Sequence, residues 1–253
     1  MNVIGLDVGA TKTIGIVFDG KKIIKALSIV TPHTEAEFRR SIGKLLEFLA
    51  DNLGIAGVGI GMAGLMDSKR QVAVTSPNLK FVKNFDWKKF LTSGGIANSA
   101  LDNDADVFLR GELGFGMAKK YKNVIAVTLG TGIGGAMAIE GKVYRGANNF
   151  GGEVGRMVMG NSFWEALFQK ARDKRDFKTV SYLTAQGFAN LINIFDPEMI
   201  VIGGGFGVNE SKYYLSQTKK LIPKYLQNKK AKVQIVTSKL KYAAALGAAS
   251  MVI

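Results

Sequence analysis

The chain has 253 residues, 47% of them apolar, with no cysteine, one histidine and a formal net charge of +14. That apolar content supports one large core or two modest ones and excludes a disordered chain. The lack of cysteine excludes disulfides, cysteine nucleophiles and thiolate metal sites, and a single histidine argues against structural zinc. Lysines at 21–22, 80–89, 119–122, 170–178 and 219–232 carry no interleaved aromatic motif, so they read as a solvated basic surface, with no nucleic acid as partner. The N-terminus lacks a basic region followed by an apolar stretch, and the longest uncharged runs are glycine-rich and too short to span a bilayer. A cytoplasmic protein with no membrane association is expected.

In chain order, residues 2–6, 13–18 and 23–30 read as strands, with Asp19-Gly20 as a hairpin turn. Residues 34–52 show helical spacing through Phe38, Ile42, Leu45, Leu46 and Leu49, opened by a Thr34/Glu37 capping box and followed by Gly54. A strand over 56–62 follows, then a basic segment, 80–89, with Phe81, Phe85 and Trp87 as core or cleft-wall aromatics. His33 reads as a surface loop residue. A short strand at 99–101 and a helix over 105–121 complete this half. The pattern then restarts with strands at 124–129 and 134–139, a Glu140-Gly141 turn into 143–144, and a loop over 146–155. A helix-rich section over 162–195, a strand at 199–202, a helix over 210–226, a strand at 233–236 and an Ala-rich helix over 242–252 follow. Two strand-hairpin-then-helix units resemble an internal duplication in an α/β protein. No linker separates them, so two domains packed face to face across a cleft are expected.

Three glycine-rich loops each follow an apolar run: Asp7-Val8-Gly9-Ala10-Thr11-Lys12-Thr13, Gly130-Thr131-Gly132-Ile133-Gly134-Gly135 and Gly203-Gly204-Gly205. Glycine lets the backbone turn sharply and bring N–H groups close to an anion. The second loop has dinucleotide-fingerprint spacing, but a strand follows where that fingerprint needs a helix. A Walker A loop fails too, because Lys22 stands where Ser or Thr must hold magnesium. Asp104 suits a base that takes a proton from a hydroxyl, or simply the cap of the following helix. Asn78 after Pro77 suits a turn, and Glu153 a solvated loop charge.

Seven motifs in order make the chain resemble the ROK family (repressors, open reading frames and kinases) over nearly its whole length. They are Asp7-x-Gly9-x-Thr11-Lys12; Gly64-Leu65-Met66-Asp67; Ser76-Pro77-Asn78-Leu79; Asn103-Asp104-Ala105-Asp106; Leu129 through Gly135; Gly152-Glu153-Val154-Gly155; and Ile202 through Gly205. The resemblance implies a two-domain, actin-like (ribonuclease H-like) ATPase fold with a cleft between domains. The N-terminal small α/β domain would span 1–102, completed by the C-terminal helix 242–253, and the larger α/β domain 103–241. It implies an ATP- and Mg2+-dependent sugar kinase, with a small-molecule hexose as partner and a homodimeric assembly. Asp104 would be the general base; Gly64, Asn78, Asn103, Glu153 and Glu165 would join it in binding sugar. Gly9, Thr11, Lys12, Gly130, Thr131, Gly132 and Gly203 to Gly205 would bind the nucleotide, and Asp7 would hold Mg2+ through water.

Many family members follow Gly-Glu-x-Gly with histidine and a cysteine-rich zinc loop. Here Arg156 takes that place and the loop is cut down to 157–163, so no zinc is expected. Arg156 would brace the shortened loop or face the sugar. Two other readings stay open: a sugar-binding regulator without turnover, and an ATPase or activator on the same fold. Family repressors carry a DNA-binding region ahead of the first phosphate loop, which here begins at Asp7, so that region is not expected.

Overall fold

The computed structural model describes residues 1–253, which form two compact units, residues 1–115 with 240–253 and residues 116–239. In the first, β1 (Asn2–Val8), β2 (Lys12–Phe18) and β3 (Ile23–Val30) form an antiparallel meander. Helix α1 (Glu35–Ala50) starts where the capping box places it: Thr34 Oγ1 accepts the Glu37 N–H at 3.4 Å and donates to the Glu37 carboxylate at 2.8 Å. Its Phe38, Ile42, Leu45 and Leu49 recur every three or four residues and bury against Ile4, Leu6 and other sheet side chains. Each such burial stabilises the unit by about 2 kcal/mol. Strand β4 (Ile55–Met62) returns parallel to β1.

Beyond β4 the chain makes a separate antiparallel sheet, β5 (Leu65–Met66), β6 (Val72–Thr75) and β7 (Lys83–Asp86), and then α2 (Trp87–Ser93). These strands have two to four residues, too few to display an alternating pattern. Asp86 caps α2 by accepting the Lys89 N–H at 2.7 Å. Phe85 and Trp87 pack edge-on to Phe38, with centroids 5.5 and 5.8 Å apart, which makes this aromatic group core. His33 is exposed. Strand β8 (Ser99–Asn103) pairs parallel with β4, giving the order β3-β2-β1-β4-β8. Helix α3 (Asp104–Phe115) ends before the expected residue 121, where Gly111, Gly114 and Gly116 weaken helix propensity.

The second unit opens with β9 (Val124–Leu129), β10 (Ile133–Ile139) and β11 (Lys142–Tyr144), again antiparallel. Glu140 and Gly141 form the tight turn, both at positive φ. A small hairpin, β12 (Val158–Met159) with β13 (Ser162–Phe163), escapes sequence pattern because it has two residues a side. The helix-rich section resolves into α4 (Trp164–Asp173) and α5 (Phe177–Phe195), the latter capped by Asp176. Then come β14 (Met199–Gly203), the short α6 (Gly205–Asn209), α7 (Ser211–Leu221) and β15 (Gln234–Thr237). Pro223 ends the helix expected to reach 226, turning its last residues into a 3-10 turn. Trp164, Phe168, Phe188 and Tyr214 are fully buried at the centre of this unit.

The sheet order here is β11-β10-β9-β14-β15, with antiparallel and parallel pairings in the same sequence as in the first unit. The internal duplication is therefore real at the level of topology. The last helix, α8 (Ala243–Ala249), belongs to the first unit and packs on β1, β4 and α3. Because α3 and α8 pack together, the division falls after Phe115, not after Asp102. Their approach needs glycine: a Cβ on Gly111 would lie 2.0 Å from the Ala243 carbonyl oxygen.

Gly111→Ala should therefore lose stability by about 1–3 kcal/mol in urea denaturation, although alanine favours helix by roughly 1 kcal/mol. A stabilised variant would contradict this account of the helix contact.

Candidate functional site

In the first unit, parallel pairing aligns three strand ends. Asp7 lies opposite Gly61 and Gly61 opposite Asp102; Met62 lies opposite Asn103. The C-terminal ends of β1, β4 and β8 thus bring Asp7, Gly64 and Asn103-Asp104 to one edge of the sheet. Asn103 Oδ1 accepts the Ala105 N–H at 2.9 Å while its Nδ2 donates to the Gly64 carbonyl at 3.4 Å. Asp104 Oδ1 also accepts the Ala105 N–H, at 3.0 Å, so both side chains cap α3 and both are partly exposed. Gly64 lies against the backbone of Thr75 and Ser76, from which the exposed Asn78 follows two residues on.

Sequence motifs did not reveal what lies behind this edge. Asp102 is fully buried and pairs with Arg70 and, at 3.3 Å, with Arg110; Arg70 also reaches Asp106 at 3.6 Å. The Asp102 carboxylate accepts the Asn103 N–H at 2.8 Å, which ties the ion network to the Asn103-Asp104 backbone. Removing one member of such a buried set costs about 3–5 kcal/mol. No motif spans these residues, since Arg70 and Asp102 meet only through the fold.

The first glycine turn joins β1 to β2. Gly9 N–H donates to the Lys12 carbonyl at 3.1 Å, Thr31 Oγ1 donates to the Gly9 carbonyl at 2.9 Å, and Thr31 N–H to the Thr11 carbonyl at 3.0 Å. Thr11 and Lys12 are exposed. Asp7 is partly exposed as a residue, yet its carboxyl is pushed up to about 7. Burial is the main cause, the charge of Asp104 adds to it, and Lys12 opposes.

In the second unit the turn from β9 to β10 is held by one face of α4. Glu165 Oε2 accepts the Ile133 N–H at 2.7 Å, and Gln169 Nε2 donates to the Thr131 carbonyl at 3.1 Å. Arg172 donates to the Gly130 and Thr131 carbonyls, each at 2.5 Å. A Cβ on Gly132 would sit 2.3 Å from Glu165 Oε2. The Gly152-Glu153-Val154-Gly155 loop packs on β10, and a Cβ added to Gly152, at φ 99°, would lie 2.7 Å from the Gly135 oxygen. Glu153, displayed on this loop, has its carboxyl pushed up by partial burial and by the charge of Glu165, with Arg156 opposing. The residue stays exposed, so water screens this shift. Arg156 lies over the Phe163 ring at 4.1 Å, bracing the β12–β13 hairpin. Gly203 pairs with Thr128, and Gly204 at φ 79° turns the chain into α6, with Gly205 exposed.

The geometry thus gathers Asp7, Gly64, Asn103 and Asp104 in one unit. In the other it gathers Gly130 to Gly132 with Glu165, and Glu153 near Glu165. Asn78 and Lys12 are exposed and make no hydrogen bond through their side chains.

The profile described as "ROK family" matches residues 3–172 and 165–253. A glucokinase of Thermotoga maritima is 26% identical over 314 aligned positions that take in 100% of this chain and 97% of that protein. A xylose repressor of Bacillus spizizenii is 30% identical over 59% of this chain and 48% of its own. The crystal structure of a ROK family glucokinase from Streptomyces griseus, in complex with glucose and AMPPNP, superposes with a TM-score of 0.86 at 23% identity, covering 100% of this chain and 99% of that one. The fold is that of the two-domain actin-like ATPases.

The raised Asp7 carboxyl has a consequence for stability. Between its ordinary 3.8 and about 7 the folded protein holds a proton that the unfolded chain has released, so ionisation is disfavoured in the fold. This contribution to stability is greatest below pH 4, declines as pH rises through that window and levels off above 7. Thermal melts without divalent cation should show Asp7→Asn gaining on the unaltered protein as pH rises from 4 to 8. Parallel curves would refute the shift.

Proposed function

The chain belongs to the ROK family, and from that premise we propose that it is an ATP- and Mg2+-dependent kinase that transfers the γ-phosphate to a hydroxyl of a hexose, glucose-like or an N-acetylhexosamine. One observation carries the reading: Asn103-Asp104 is held at the head of α3 by two side chains that both accept the Ala105 N–H, with the Asp104 carboxylate close enough to Asp7 to raise that residue's proton affinity. Such a pair suits phosphoryl transfer, in which the protein positions the acceptor hydroxyl, removes its proton and manages negative charge.

In this reading Asp104 is the general base, and Gly64, Asn78, Asn103, Glu153 and Glu165 bind the sugar. Glu165 already spends one carboxylate oxygen on the Ile133 N–H, which leaves the other for a hydroxyl. Gly9, Thr11, Lys12 and Gly130 to Gly132 take the phosphates, and Gly203 to Gly205 line the adenosine pocket.

The residues fit magnesium. A carboxyl raised by burial and by a neighbouring anion gains from a divalent cation, and Asp7 would hold it. A single carboxylate is enough for Mg2+, an ion that keeps water and substrate phosphate among its ligands. When bound, it neutralises charge on the phosphates. The protein is read as independent of zinc, with Arg156 stacked on Phe163 in the place where relatives have a metal loop.

A second reading, a sugar-binding regulator without turnover, draws support from the repressor likeness. A panel of hexoses and N-acetylhexosamines assayed with ATP and Mg2+ separates the two, because a regulator binds sugar and forms no sugar phosphate.

Asp104→Asn should keep sugar binding and melting temperature while turnover falls by about a hundredfold or more. Turnover equal to the parent's would remove Asp104 from the mechanism. Chelation followed by restored Mg2+ alone should return full activity. A preparation that recovers only on adding zinc would show that another ligand set exists.

A further inference from the structure

The β9–β10 turn allows a complete accounting of its backbone polar groups. Gly130 N–H donates to the Gly132 carbonyl at 2.9 Å. The Gly130 and Thr131 carbonyls accept from Arg172, and Thr131 also accepts from Gln169. Ile133 N–H goes to Glu165. Two donors remain unused within the protein, the N–H groups of Thr131 and Gly132. They belong to the same two peptide units whose carbonyls Arg172 grips. All peptide bonds are trans, so in each unit N–H and C=O point opposite ways. Fixing both carbonyls on α4 therefore turns both N–H groups away from it, to the open side of the turn. Thr131 is exposed there, and a Cβ on Gly130 would meet nothing within 4 Å.

The holding residues lie one turn apart on α4: Glu165, Gln169 and Arg172, at i, i+4 and i+7, share one face. The Arg172 guanidinium is itself oriented by Asp173, at 2.7 Å. A charged donor on a peptide oxygen polarises that peptide and strengthens its N–H as a donor. Two adjacent, outward-facing N–H groups, polarised from behind by a cation, form a concavity suited to an anion. The corresponding turn of the first unit uses a neutral tether instead, Thr31 Oγ1 on the Gly9 carbonyl.

We propose that Arg172 is a positioning residue: with Gln169 and Glu165 it locks the β9–β10 turn so that Thr131 and Gly132 N–H together bind the phosphate chain of the nucleoside triphosphate. This rests on the kinase reading. Arg172 touches peptide oxygens only, so its loss acts on phosphate binding and not on adenosine or sugar.

Calorimetric titration of the full chain tests it, with Mg–ATP, AMP and glucose as separate probes. Arg172→Ala should weaken Mg–ATP binding by about tenfold or more, with AMP and glucose unchanged. Arg172→Lys, which keeps the charge but loses the two guanidinium nitrogens that bond Asp173 and orient the group, should fall between the two. Lys170→Ala, on the exposed face of α4, should match the unaltered protein. Equal Mg–ATP affinity in the unaltered protein and both Arg172 variants would overturn the inference and leave the kinase reading standing. So would equal weakening of all three probes with a lowered melting temperature, since that marks a merely structural role. If the unaltered protein binds no Mg–ATP, the kinase reading falls and the inference falls with it.

Discussion

Parallel strand pairing is the constraint on which the rest of the first unit depends. β1, β4 and β8 run the same way, so their C-terminal ends share one edge, and the register sets Asp7, Gly61 and Asp102 in line. Residues distant in the chain become neighbours because the same sheet hydrogen bonds fix all three strands. The second unit repeats the arrangement with β9 and β14, whose ends deliver Gly130 and Gly203 side by side through the Gly203–Thr128 pairing. Ligands of open α/β sheets gather at such edges because loops there are free to vary while the strands below are not.

The register alone leaves the side chains loose, and a buried ion network removes that freedom. Asp102 carries no solvent exposure, and an isolated carboxylate there would be strongly disfavoured. Arg70 and Arg110 offset that cost, and the same carboxylate takes the Asn103 N–H. Arg70 lies between β5 and β6, so the network also fastens the small sheet that leads to Asn78 onto the strand that leads to Asp104. Burial of charge here serves geometry more than net stability, as is common for buried ion pairs.

The two hairpin turns show how one topology is adapted twice. Each has an internal N–H to C=O bond, Gly9 to Lys12 and Gly130 to Gly132, and each has a carbonyl tethered from outside. The tether is a hydroxyl in one and a guanidinium in the other. The glycines of the second turn serve different ends. Gly132 makes room for Glu165, and Gly135 lets the Gly152 loop approach β10.

The sequence by itself determined the longer elements, because α1 and β3 show full periodicity and β9 is a continuous apolar run, with caps and turns of unmistakable chemistry beside them. It also determined the glycine turns, the Asn103-Asp104 pair and the family, since those motifs are local in the chain. Only the tertiary structure decided the small sheet β5-β6-β7 and the β12–β13 hairpin, whose strands are too short to carry a period. It also assigned α3 to the first unit, because the Gly111–Ala243 approach joins a mid-chain helix to the C-terminal one. The partners of Asp102 and the grip of Arg172 on the β9–β10 turn were likewise invisible beforehand. The Arg70–Asp102 and Arg172–Gly130 contacts join residues more than thirty positions apart, and an arginine in a basic chain gives no sign of which oxygen it will meet until the fold brings them together.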